Sequence, residues 1–174
     1  MTINERETRH ERVLTAAQQI ITAARTAPKA KGVDIIEIAV LTDHDIVDLA
    51  HKMRAFYEEH KRAFFLRDAD NLLHSEAVVL IGTRSQAGGL NCGYCGFKTC
   101  AEKSPEIPCV FNSVDVGIAL GSAAATAADL RVDSRIMYSA GSTALKYNLM
   151  PGCNTIFAIP LSISSKSPFF DREG

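Results

Sequence analysis

The chain has almost no charge imbalance. Nineteen Lys and Arg stand against twenty Asp and Glu, a formal net charge of -1 in 174 residues. That balance removes the electrostatic reason for expecting nucleic acid or an anionic membrane as a partner. The start of the chain, "MTINERETRHER", also lacks the apolar stretch that a secretory signal needs. No hydrophobic run is expected to reach the length of a bilayer span. The expected location is therefore the cytoplasm. Paired histidine ligands are missing as well, since His10, His44, His51, His60 and His74 show no H-E-x-x-H spacing. Ser139 and Ser142 flank Gly141 without forming G-x-S-x-G, so a serine hydrolase finds no support. Repeats, low-complexity tracts and linkers are absent, and residues 1–174 are expected to form a single domain.

What is present begins with a periodic segment. Val13, Ala16, Ala17, Ile20, Ile21 and Ala24 mark one face of an amphipathic helix. Pro28 disfavours helical geometry in the residue before it, so the helix should end near Ala27. Ile35 to Leu41 reads as a buried strand. Thr42 and Asp45 stand close to a capping-box spacing ahead of a second helical stripe, from Ile46 to about Phe65. Glu76 to Thr83 is a second strand. Ser113 to Leu130 is a helix of small residues, with Gly117, Gly121 and Ala125 every fourth position. Such a face permits close packing on another helix, with its own copy in a second subunit as one candidate and an ordinary buried helix as the alternative. A further helix is expected to start with Asp133 as its N-cap. The last strand, Asn154 to Ile163, contains Pro160 and is expected at a sheet edge or ending there. Interleaved helices and strands predict an α/β or α+β layered domain, with helices covering a small sheet.

Four of the five cysteines lie in "NCGYCGFKTCAEKSPEIPC", spaced Cys92-x2-Cys95-x4-Cys100-x8-Cys109. Structural disulfides are rare in a reducing cytosol, so a dense cluster there points to a metal or to catalysis. Gly88, Gly89, Gly93 and Gly96 let the loop wrap a body larger than one ion and aim N–H groups at sulfur. Zinc sites usually pair two C-x2-C units, and only one is present. The pattern thus favours an iron–sulfur cluster, with zinc as the alternative.

"NCGYCGFKTC" resembles the C-x2-C-G-x3-C opening of four-iron four-sulfur domains in corrinoid iron–sulfur and electron-transport proteins. That resemblance implies Cys92, Cys95, Cys100 and Cys109 as cluster ligands within a loop spanning residues 88–111. Cys153 is left as a reserve ligand, a reactive thiol or a buried structural residue. The chain as a whole, with its "SPFFDR" ending, resembles a family of bacterial and archaeal ferredoxin-domain proteins. A second resemblance, carried by "AARTAPKAKGVDIIEIAVLT" and the small-residue helix, is to flavin-dependent nitroreductases. It implies an α+β homodimer and the possibility of flavin mononucleotide (FMN). Lys29 and Lys31 are candidates for an anion or flavin phosphate site, which Lys166 and Arg172 would complete; the alternative is solvated surface lysines. Three functions follow: a redox enzyme whose cluster serves a flavin, a non-enzymatic electron carrier or sensor with an unknown redox partner, and a zinc-stabilised interaction domain.

Overall fold

The structure is a computed structural model that describes residues 2–170. In chain order the elements are α1 (Glu5–Thr26), β1 (Ile36–Leu41), α2 (Asp43–His60), α3 (Phe64–Leu72), β2 (Ala77–Arg84), α4 (Val110–Asp129), β3 (Asp133–Ser134), α5 (Tyr138–Lys146) and β4 (Cys153–Ser162). Among the described residues the strands form one antiparallel sheet in the order β1-β2-β4-β3. The fold is α+β, as expected.

Strand periodicity divides the core in two. Ala77, Val79 and Ile81 of β2, with Ile159 and Leu161 of β4, face α1 and α4. Val78 and Leu80, with Ile156 and Ala158, face α2, α3 and α5 on the other side. The two central strands are covered on both faces, which explains why they read as continuous apolar runs rather than alternating ones. The stripe expected on α1 is the buried one, with Val13, Ala16, Ala17, Ile20 and Ala24 inside. Asn4 caps this helix by accepting from the Arg6 N–H, so it starts well before its apolar face does.

Five expectations need correction, the last of them at Pro160. The second helical segment does not run on to Phe65: Lys61 turns left-handed at φ 53° and ends α2, and α3 begins afresh at Phe64. Thr42 does occupy the N-cap of α2, but its side chain makes no capping bond. Asp133 opens no helix. It lies in the short strand β3, paired with Ser162, and the helix begins at Tyr138. In addition, α4 is, by length and composition, apolar enough to cross a membrane, although Val116, Ala119, Leu120, Ala123 and Ala127 bury one face of it in the core.

Pro160 sits in an inner strand, not at an edge. Opposite Val78, it is flanked by β2 on one side and β3 on the other. Ala158 exchanges both of its backbone bonds with Met137, on the β3 side. Two residues on, the nitrogen of Pro160 faces that same side, and β3 pairing resumes only at Leu161 and Ser134. The missing N–H therefore falls in a gap of the ladder and removes no bond to β2.

Candidate functional site

The segments that build the site are held by two side chains of α4. Asn112, buried, donates its amide to the Gln86 carbonyl at 3.0 Å and accepts from the Gln86 N–H at 3.3 Å. Asp115, also buried, accepts from the Ala30 N–H at 3.0 Å. One face of one helix thus fixes both the turn after α1 and the loop after β2. Between them lies a cleft lined by Lys31, Val33, Ile35, Gly88, Gly89 and Phe111, with Asn112 and Asp115 at its base. Neither of these two polar residues was singled out from sequence. The signal was there, as two polar side chains three apart among the apolar Phe111, Val114 and Val116.

Next to this cleft, Cys92, Cys95, Cys100 and Cys109 line a common pocket with Asn91, Phe97 and Val110. All five cysteines of the chain are free thiols; Cys92 is exposed and Cys109 buried. Gly93 (φ 73°) and Gly96 (φ 87°) adopt left-handed backbone, and the Gly96 N–H closes a turn on the Gly93 carbonyl at 2.9 Å. Asn91 also turns left-handed, which a short polar side chain tolerates. Its N–H points at the Cys100 sulfur at 3.4 Å, while its side-chain oxygen accepts from the Cys100 N–H at 2.8 Å. The Asn91 N–H, followed by those of Gly89 and Leu90, and the charge of Lys31 hold the Cys100 thiol below its ordinary range against the opposing effect of burial. Among the described residues no three His, Cys, Asp or Glu side chains close on a single ion position.

The cleft and the cysteine pocket adjoin. A side chain at Gly88 would stand 3.7 Å from the Cys109 sulfur, and one at Gly89 would stand 3.5 Å from the Lys31 ammonium. Phe111 lines the cleft and stacks on Tyr94 of the cysteine loop, with centroids 6.0 Å apart.

The basic candidates are not gathered together. Lys29 turns its ammonium back onto the carbonyls of Ala24, Arg25 and Ala27, closing the end of α1. Burial lowers its pKa. Lys31 lines the cleft. Lys166 is exposed and does not line it, and Arg172 lies outside the described residues. Cys153 lies beside Gly82 on β4, away from the other four, and burial is the main cause that raises its thiol pKa.

Comparison with known proteins places these features. The family of uncharacterised proteins containing a ferredoxin domain matches residues 106–172. An uncharacterised protein of Archaeoglobus fulgidus is 38% identical, across 99% of this chain and 98% of its own length. The chain belongs to this ferredoxin-domain family, and the family description places it among redox proteins. Solved structures supply the fold. The nitroreductase CinD of Lactococcus lactis, in complex with chloramphenicol, superposes with a TM-score of 0.62 at 14% identity, covering 88% of this chain and 79% of its own. A nitroreductase of Desulfitobacterium hafniense with bound FMN gives 0.60 at 11%, covering 87% and 78%. The fold is nitroreductase-like.

Proposed function

We propose that this protein transfers electrons through a four-iron four-sulfur cluster held by Cys92, Cys95, Cys100 and Cys109. The observation that carries the reading is the common pocket, which four cysteines of one loop line. Zinc needs all its sulfurs about 2.3 Å from one point, whereas a cluster spreads its ligands around a larger body. When bound, the cluster would supply one-electron transfer. The N–H groups near Cys100 and the burial of Cys109 are the levers this chain has on its potential.

Protein prepared or reconstituted anaerobically should hold about four iron and four sulfide per chain and show a broad absorption near about 400 nm that dithionite bleaches. Replacing any one of the four cysteines by Ser should remove or convert that spectrum. Colourless protein with one zinc and no sulfide would sink the proposal and restore the structural-zinc alternative.

A flavin-linked oxidoreductase is the second reading. It is favoured by the FMN in the Desulfitobacterium hafniense structure of the same fold. Lys29, tied to the end of α1, is not free for a flavin phosphate. Released flavin fluorescence after denaturation separates this enzyme from a plain electron carrier or sensor. The working form we propose is a cytoplasmic homodimer joined through α4. Val114, Gly117, Ile118, Gly121 and Ala125 line an exposed apolar face there, and nothing lies within 4 Å of a side chain built at either glycine.

A further inference from the structure

The cleft between the Ala30 turn and α4 has the size and chemistry of a site for one kind of ligand. Its volume, about 180 Å³, is near the ~150 Å³ of an engineered cavity that takes up benzene, so it suits a single ring. Val33, Ile35 and Phe111 give it apolar walls. Two polar groups are left over. The Lys31 ammonium makes no hydrogen bond or ion pair among the described residues, although it stands beside Gly89. Asp115 is 3% exposed; one carboxylate oxygen is held by the Ala30 N–H, and the other has no donor among the described residues. Asp115 lines the cleft, so its free oxygen can accept from a donor on a ligand bound there.

We infer that this cleft binds a single-ring molecule carrying an acidic group, paired with Lys31, and a hydrogen-bond donor, paired with Asp115. The bound ring lies against Gly88 and Gly89, on the side of the cleft next to the Cys109 sulfur. Its role as an electron-exchange partner of the cluster rests on the function proposed above, whereas binding itself does not.

The test is an NMR titration of the whole ¹⁵N-labelled protein, without metal, using 4-hydroxybenzoate, with phenol and benzoate as probes lacking one group each. The amides of Ala30, Lys31, Gly88 and Gly89 should shift, and 4-hydroxybenzoate should bind more tightly than either single-group probe. Lys31→Gln should weaken 4-hydroxybenzoate about tenfold or more, as loss of a charged hydrogen bond does. It should leave phenol unchanged, and Lys31→Arg should restore most of the affinity. Absence of shifts at these residues, or an unaltered affinity in Lys31→Gln, overturns the site. In protein whose cluster is reduced with dithionite to its paramagnetic state, the proton lines of the bound probe should broaden beyond their width in the metal-free form. Binding without added broadening overturns the adjacency to the cluster. If no cluster forms, the electron-exchange role falls with the proposed function, while the metal-free titration still decides the site.

Discussion

A glycine decides how α5 meets the sheet. A side-chain carbon added at Gly141 would fall 2.1 Å from the Ile156 carbonyl oxygen and 2.5 Å from the Phe157 Cα, both backbone atoms of β4. Neither neighbour can swing aside as a side chain would. Gly141→Ala, which in an open helix would gain from better helix propensity, should here destabilise by at least about 3 kcal/mol, at or beyond the upper end of ordinary overpacking. Chemical denaturation read by circular dichroism checks this; an unchanged midpoint would remove the contact from the account. Thiols supply a second prediction at this scale. Hydrogen bonding favours the thiolate of Cys100, whereas burial favours the neutral thiol of Cys153. In metal-free protein, iodoacetamide should therefore alkylate Cys100 first at neutral pH, and the Cys153 rate should rise only above the ordinary thiol range. Peptide mass mapping over time reads the order directly.

At the scale of elements, α4 combines three roles on different faces. Its buried face packs on α1 and the sheet, Asn112 and Asp115 hold the two site segments, and the small-residue face stays uncovered. If that face joins two copies, Ile118→Glu should convert dimer to monomer by light scattering while leaving the circular dichroism spectrum unchanged; a wild-type monomer at high concentration would dismiss the idea. Most elements were legible in the sequence because their apolar period matches the surface they bury. The α1 stripe and the β2 and β4 runs are of that kind. The failures have physical causes. The break between α2 and α3 is a left-handed Lys61, a conformation that lysine composition does not announce. The strand at Asp133 rests on two pairings with residues nearly thirty positions away, and no local pattern encodes those. Pro160 misled because its tolerance depends on which neighbour its nitrogen faces. In the site, the cysteines were legible from spacing, whereas Asn112 and Asp115 matter through contacts at separations of 26 and 85 residues.

For the whole molecule, the cysteine loop is the long connection between a central strand and a central helix, so it is anchored at both ends in the core. Cys109 immediately precedes α4 and its carbonyl receives the Asn112 N–H at 3.0 Å. The same Asn112 grips Gln86 at the loop's other end. Ligation of the Cys109 sulfur would hold the helix start in register and, through Asn112, the departure of the loop from β2. Limited proteolysis should accordingly cut metal-free chains within residues 85–109 and spare cluster-loaded ones, with the cleavage pattern read by mass spectrometry. Equal cutting in both forms would mean that the loop is held without its metal. If the proposed cluster binds, the start of α4 becomes a checkpoint in the protein's maturation: a chain that has not yet received it would expose a protease-sensitive segment, and acquiring it would hide that segment.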